Sequence, residues 1–110
     1  MNSTDSDAEE RFDRYIEILR KVPTLVVDDR FEISNGGIAV TGVLLSGTIR
    51  TGDRLGVYRQ SQLIGEATVI GIELNRKLVS EAFPTESIGL LLRQPSNANA
   101  GDTLRRIGDQ

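Results

Sequence analysis

From Thr24 onward the chain consists of short β-forming runs separated by turn sequences, and this spacing is the feature that most constrains its fold. The runs are rich in Val, Ile, Leu and Thr, whereas the breaks contain Gly, Asn, Asp and Ser, which favour tight turns. The predicted strands are Thr24–Ile33, Ile38–Leu45, Thr48–Ile49, Arg54–Arg59, Glu66–Leu74, Ser87–Arg93 and Thr103–Ile107. Evenly spaced short strands of this kind indicate an antiparallel sandwich or barrel.

No helical pattern falls between these strands, which disfavours a parallel βαβ arrangement. Gly42 stands inside the second run and predicts a strand that bends sharply, as at the corner of a barrel. The 110 residues, 38% of them hydrophobic, suffice for one domain with its own core. We therefore predict a mainly all-β fold, a small antiparallel Greek-key-like β-barrel over residues 24–108 with one N-terminal α-helix packed on it.

Residues 1–5 are predicted to be a flexible tail, and residues 6–22 an amphipathic helix. Ser6 and Glu9 have the spacing of a capping box, in which both side chains bind free amides at a helix start, and Pro23 ends the helix. Apolar residues recur at helical spacing along one face, at Phe12, Tyr15, Ile16 and Leu19. This face either packs on the barrel and covers an open end or a sheet edge, or docks a partner protein.

The absence of cysteine and histidine removes the largest number of functions. Disulfides, thiolate metal sites, most zinc chemistry and every catalytic triad that needs histidine are excluded. No Gly-Lys-Ser or Gly-Lys-Thr phosphate loop occurs, and Lys21 and Lys77 are the only lysines in the sequence. Asp28 and Asp29 are adjacent on a predicted strand, so they should point to opposite faces and not share one cation. We expect neither an enzyme, nor a bound metal, nor a cofactor.

The net charge of -3 is concentrated at the N-terminal end. Residues 1–30 contain eight acidic and five basic side chains, whereas the rest of the chain contains eight of each. No lysine or arginine run provides the basic stripe that duplex DNA binding usually needs, although a local contact to an RNA end is compatible with this charge. No apolar run approaches the roughly 20 residues that cross a bilayer. We expect a cytoplasmic monomer that binds neither duplex DNA nor a membrane.

The densest group of polar side chains in the predicted barrel is the segment Glu73–Leu78, which combines a carboxylate, an amide and two cations at a strand end. The glycine-containing run Ser87–Arg93 follows it. A carboxylate can accept hydrogen bonds from an amine or a hydroxyl, and arginine can hold a phosphate through two parallel hydrogen bonds. From spacing alone, the plainer interpretation is that Glu73 and Arg76 are solvated at a turn, and the alternative is a binding site.

Several motifs occur in a fixed order along the predicted barrel. They are Phe31–Gly42 with its Val-Thr-Gly step, Ser46–Leu55 with Gly-x-Ile-x-x-Gly-Asp-x-Leu, Ile72–Leu78, Ser87–Arg93, and Ala100–Leu104 with its closing Gly-Asp-x-Leu. Each motif is weak by itself, but the ordered set is specific. It resembles the second domain of elongation factor Tu and its relatives among translational GTPases.

The resemblance implies a non-catalytic β-barrel of the translation-protein type that contacts the 3′ end of aminoacyl-tRNA, the ribosome or a protein partner of translation factors. Carried over position by position, Glu73 would meet the terminal adenosine, and Arg76 would lie near the phosphates of the 3′ end. Ile33 and Leu91 would form apolar walls of the adenine pocket. Ser87 would face the aminoacyl end, at a position where the family has asparagine.

Other positions depart from the family pattern. Asn35 replaces a glycine of the family's Pro-Gly-x-Gly loop, and Asn75 replaces an aromatic residue. The GTPase domain and the third domain of the family have no counterpart in the sequence, so we expect a barrel that stands alone. The alternative function is a protein–protein interaction or immunity-type mimic module that keeps the barrel and has lost RNA binding.

Overall fold

The computed structural model describes residues 22–34 and 37–107, and within these ranges every regular element is a β-strand. The strands are β1 (Thr24–Glu32), β2 (Ile38–Ser46), β3 (Ile49–Arg50), β4 (Arg54–Arg59), β5 (Gln62–Leu74), β6 (Lys77–Val79), β7 (Glu81–Ala82), β8 (Ser87–Leu92) and β9 (Thr103–Arg106). A helix long and apolar enough to cross a membrane is not found among the described residues. The predicted all-β class is confirmed for this part of the chain.

Six of these strands form a closed antiparallel barrel. Around the ring they follow the order β4, β9, β1, β2, β8 and β5, and the pairing of β4 with β5 closes it. Strand β6 extends the sheet beside β5, while β3 and β7 form a separate two-stranded sheet. Because β9 pairs with β1 and β8 pairs with β2, the ring brings together side chains from distant parts of the sequence.

The alternation of side chains along each strand decides which residues fill the barrel. Along β2, Val40 and Leu44 are buried inside, whereas Ala39 and Thr41 are only partly buried on the outside. Fully buried aliphatic side chains from other strands complete the interior, among them Leu25, Leu55, Ile72, Leu90 and Leu104. Burial of one such side chain stabilises the fold by about 1.5–3 kcal/mol. The same alternation leaves every second residue of β2, β5 and β8 on the outer surface.

Strands β1 and β2 approach each other very closely at Gly42, where the sequence predicts a bend. The register of β1 against β2 shifts between Val27 and Asp29, which is the mark of a β-bulge. A Cβ at Gly42 would collide with the carbonyl oxygen of Val26 and would lie 2.8 Å from Cδ2 of Leu25. Only glycine fits this position without movement of the neighbouring strand.

Two details of the sequence-based prediction are wrong. Strand β5 begins at Gln62 rather than Glu66, because the two-residue turn formed by Gln60 and Ser61 joins it directly to β4. Both turn residues have positive φ, a conformation for which Asn-Gly or Gly-Gly is the usual sequence. The short strands β6 and β7 were also not predicted, because neither contains alternating buried apolar residues.

The predicted tail and helix lie outside the described residues, except for Val22 at the end of the predicted helix. The carbonyl oxygen of Val22 accepts hydrogen bonds from Oγ1 of Thr24 and Oγ of Ser46, each at 3.1 Å. The helix itself therefore stays a prediction, as does its apolar face of Phe12, Tyr15, Ile16 and Leu19.

Two arginines hold the loop between β8 and β9 against the barrel. Arg30 donates through Nη1 to the carbonyl oxygens of Ser96 at 2.9 Å and Ala98 at 2.7 Å. Arg59 binds both carboxylate oxygens of the buried Asp102, with Nε–Oδ1 and Nη2–Oδ2 distances of 2.8 and 3.0 Å. These hydrogen bonds from Arg59 lower the pKa of the Asp102 carboxyl below its ordinary value, because they favour its ionised form.

The lowered pKa of Asp102 predicts that acid destabilises the fold through this pair. The contribution of the carboxylate is complete above the unfolded pKa of about 3.9 and is lost as the pH falls through the lower folded pKa. Asp102→Asn should lower the free energy of unfolding at neutral pH by about 1–3 kcal/mol, because it removes a charged hydrogen-bond partner of Arg59. The substitution should also make the free energy of unfolding fall less steeply as the pH is lowered.

Urea unfolding followed by circular dichroism between about pH 7 and about pH 2 measures both effects. Asp28→Asn is the control, because Asp28 is exposed and makes no side-chain hydrogen bond within the described residues. If it flattens the acid dependence as much as Asp102→Asn does, the buried pair is not the cause.

Gly42→Ala should destabilise the barrel by about 2 kcal/mol or more, because the added methyl group must displace the backbone of β1. Gly89→Ala is the matched control, since a Cβ there would lie 3.6 Å from its nearest neighbour, an ordinary contact distance. We expect it to change the free energy of unfolding by less than about 1 kcal/mol. Thermal or urea unfolding compares the two variants, and equal stabilities would disprove the close approach of β1 and β2 at Gly42.

Candidate binding groove

Small side chains on the outer faces of three neighbouring strands leave a groove of about 440 Å³ on the barrel surface. Its lining includes Ala39 of β2, Gly71 of β5 and Gly89 of β8. Strands β5 and β8 are directly paired here, with Gly71 opposite Leu91 and Gly89 opposite Glu73. Since the groove is on the outside of the closed ring, a ligand can enter it without disturbing the core.

Larger apolar side chains form the walls of the groove. Phe31 near the end of β1 is 51% exposed, and Ile33, which follows β1, is 43% exposed. Leu91 belongs to the outward-facing side of β8, and Leu78 of β6 is 81% exposed. Exposed apolar side chains gathered around a concave surface are typical of a ligand or partner site.

The connection between β1 and β2 positions Ile33. The Ile33 amide donates to the carbonyl oxygen of Gly37 at 2.8 Å. A Cβ at Gly37 would lie 3.7 Å from Ile33 Cβ and 3.8 Å from Leu91 Cδ1, so both side chains pack beside this glycine. Ile33 and Leu91 therefore wall the same part of the groove. Asn35, which departs from the family pattern of this loop, lies outside the described residues.

Among the described residues that line the groove, Glu73 is the one with a charged side chain. It lies on β5, between its sheet partners Gly89 of β8 and Leu78 of β6. A Cβ at Gly89 would lie 3.6 Å from Glu73 Oε1, so the carboxylate leans over the glycine. Within residues 22–34 and 37–107, Glu73 is exposed and forms no ion pair. The groove thus offers apolar walls and one strong hydrogen-bond acceptor.

The groove brings together three of the five binding residues predicted from the resemblance, namely Ile33, Glu73 and Leu91. Arg76 is not part of its lining and lies exposed at the turn between β5 and β6. Ser87, the exposed first residue of β8, does not line it either. Arg76 and Ser87 can therefore contact only parts of a ligand that extend beyond the groove.

The turn that carries Arg76 has an unusual backbone. Asn75 and Arg76 have φ angles of 54° and 67°, and together they connect β5 to β6. Glycine is the usual second residue of such a turn, because a side chain in the left-handed region costs roughly 1–2 kcal/mol. Strain of this kind is often found at functional sites, so the cost is consistent with a role for the Arg76 guanidinium.

Sequence analysis did not identify Phe31, Leu78, Gly71 or Gly89 as site residues. The two glycines do leave a signal, because a glycine inside a strand often marks close approach of a ligand or a backbone. Leu78 leaves none, since an apolar residue in a short run is normally expected to be buried. Its exposure depends on the position of β6 at the edge of the sheet.

A second apolar depression of about 370 Å³ adjoins the groove. The two share Gly71, Ile72 and Leu78, so Leu78 stands between them. The lining of the depression continues to Ile70, which is 43% exposed, and to Val79. The apolar surface on this side of the barrel is therefore larger than the groove itself.

No group of three or more acidic side chains in residues 22–34 and 37–107 is arranged to hold a metal ion. Asp28 and Asp29 are both exposed, and the register shift of β1 between Val27 and Asp29 places a bulge at Asp28.

No family model matches the chain. The structural features that bear on function are therefore the barrel and the groove. The groove has apolar walls, glycines in its lining and one carboxylate. Such a surface is suited to binding a flat, mostly apolar group that carries hydrogen-bond donors.

Arg76→Gly should raise the free energy of unfolding by about 1 kcal/mol, because glycine adopts positive φ without steric cost. Ser61→Gly is the matched control, since Ser61 occupies the equivalent position of the β4–β5 turn with a φ of 68°. We expect a similar gain there, and urea unfolding measures both. If Ser61→Gly raises the free energy of unfolding and Arg76→Gly lowers it, the Arg76 side chain makes a stabilising contact, contrary to its exposed position.

Proposed function

We propose that this barrel is a non-catalytic binding module of the type found as the second domain of elongation factor Tu-like translational GTPases, and that its groove receives the 3′-terminal adenosine of aminoacyl-tRNA. One observation carries the proposal. Ile33, Glu73 and Leu91, which the resemblance assigns to the adenosine pocket, line a single groove although they are distant in the sequence. The pairing of the last strand, β9, with β1 also suits the Greek-key-like barrel expected of this family.

The chemistry of the groove suits a purine nucleoside. Ile33 and Leu91 can pack against the faces of the ring, and burial of their exposed apolar surface would favour binding through the hydrophobic effect. Gly71 and Gly89 let the ring approach the backbone of the sheet. The carboxylate of Glu73 can accept hydrogen bonds from the ribose hydroxyls or from the adenine amino group.

The parts of the tRNA end outside the groove would meet the two remaining residues. The Arg76 guanidinium is suited to a phosphate, and the Ser87 hydroxyl can bind a polar group of the aminoacyl end. One barrel presents only these contacts. We therefore expect weak binding, because tight binding of a large ligand depends on several surfaces acting together.

A protein-binding module is the second candidate, and the apolar surface beyond the groove favours it. Leu78 and Ile70 are 81% and 43% exposed, and the depression between Ile70 and Leu78 continues the groove. A purine ring does not need this additional surface. A strand or helix of a partner protein would cover both concave regions at once.

Two isoleucines of equal exposure separate these candidates. Ile33 lines the groove and Ile70 lines the adjoining depression, and each is 43% exposed. Ile33→Ala should weaken binding of an RNA minihelix that ends in CCA and carries an amide-linked aminoacyl group by about fivefold or more, because it removes a wall of the adenine site. Ile70→Ala should leave this affinity unchanged.

NMR titration of the full chain measures both affinities and also locates the contact. We expect chemical-shift changes at Ile33, Glu73 and Leu91, and a smaller response when the minihelix is deacylated. The absence of changes at these three residues would contradict the adenosine site. Equal losses of RNA affinity in Ile33→Ala and Ile70→Ala would also contradict the adenosine site, because the ligand would then lie across both concave regions.

A further inference from the structure

A third concave surface lies on the opposite side of the barrel from the groove. It measures about 350 Å³ and lies mainly on the outer faces of β4 and β9. In the closed ring of six strands, β9 is diametrically opposite β8, which carries the centre of the groove. Among the described residues, none lines both this surface and the groove.

The lining of this surface is polar, in contrast to that of the groove. Tyr58 and Thr103 are directly paired across β4 and β9, and Gln60 and Ser61 come from the turn that follows β4. Arg105 is the next outward-facing residue of β9 after Thr103. Its guanidinium carbon lies 5.9 Å from the centroid of the Tyr58 ring.

Arg105 is the one charged residue in this lining within the part of the chain that the structure describes. Arg59 and Arg106 are engaged by Asp102 and Asp53, whereas Arg105 forms no ion pair within the described part of the chain. A guanidinium beside an aromatic ring, without a carboxylate partner, keeps its planar set of N–H donors for an oxyanion from outside. Phosphate oxygens match that planar arrangement.

Four hydroxyl groups accompany this arginine, from Thr24, Tyr58, Ser61 and Thr103, together with the amide of Gln60. Oγ1 of Thr24 donates to the carbonyl oxygen of Val22 at 3.1 Å, whereas among residues 22–34 and 37–107 none of the other four side chains takes part in a hydrogen bond. Hydroxyl and amide groups that can both donate and accept are complementary to the hydroxyls of a sugar.

We propose that this surface binds a phosphorylated sugar, with the phosphate on Arg105 and the sugar hydroxyls on Ser61, Thr103 and Tyr58. Free ribose 5-phosphate and a ribonucleotide unit within an RNA strand both present a phosphate and at least one free ribose hydroxyl. The site lies on the opposite side of the ring from the groove and shares none of its described residues, so it stands whether or not the groove binds adenosine.

NMR titration of the full chain with ribose 5-phosphate tests this site. Chemical-shift changes are expected at Tyr58, Ser61 and Thr103 and at the Nε–H of Arg105, with saturation at millimolar ligand. Unphosphorylated ribose should bind about tenfold more weakly, because it lacks the group that Arg105 holds. Shifts confined to other surfaces, or equal affinities for the two sugars, would overturn the proposal.

Arg105→Gln should weaken ribose 5-phosphate binding by about tenfold, and Arg105→Lys by about threefold, because lysine keeps the charge without the planar donors. Arg93→Gln is the matched control, since Arg93 is also exposed but lines neither concave surface. It should leave the affinity unchanged. Equal losses from Arg105→Gln and Arg93→Gln would show attraction by overall charge and would overturn the site. Thermal unfolding verifies that each variant keeps the barrel.

The source of the sugar phosphate is then identified with short single strands of RNA and DNA of the same sequence. If RNA binds more tightly than both DNA and ribose 5-phosphate, and Arg105→Gln removes the difference, the natural ligand is an RNA strand. If RNA has no advantage over ribose 5-phosphate, the ligand is a free phosphorylated sugar. Both results support the site, whereas RNA binding that is insensitive to Arg105→Gln would overturn it for RNA.

Discussion

The pairing of β4 with β5 closes the barrel, and the position of each surface residue in the ring depends on this closure. Once the ring is closed, strand alternation directs Ile72 and Leu90 into the core and Glu73 and Leu91 to the outside. Aliphatic side chains fill the interior, so the surfaces that could bind a ligand are the outer faces of the strands. Two of the concave surfaces lie around opposite strands: the apolar groove with its carboxylate around β8, and the polar surface with its arginine around β9.

Local sequence patterns predict the strands that alternate between buried and exposed residues. The predicted bounds of β2 and β8 differ from the observed ones by a single residue at one end. The start of β5 could not be predicted in this way, because Gln60 and Ser61 lack the glycine that normally marks a positive-φ turn. Strand β6 could not be predicted either, since Leu78 at its centre is exposed and the strand pairs with β5 on one side only.

The candidate groove was predictable only in part, and for a physical reason. From spacing alone, Glu73 could be either a solvated residue at a strand end or part of a site; it is exposed near the end of β5, with its carboxylate over Gly89. Ile33 and Leu91 were identified through the family resemblance rather than through their local pattern. Phe31 and Leu78 join them because of which strands are neighbours in the ring, and strand order is a tertiary property that no local pattern encodes.

In the proposed complex, an adenine ring lies between Ile33 and Leu91, beside Glu73. Intermolecular nuclear Overhauser effects between the full chain and an RNA minihelix ending in CCA would detect this arrangement. We expect contacts from the H2 and H8 protons of the terminal adenine to the methyl groups of Ile33 and Leu91. Contacts from those protons to Ile70 and Val79 instead, or none from a minihelix that is demonstrably bound, would contradict it.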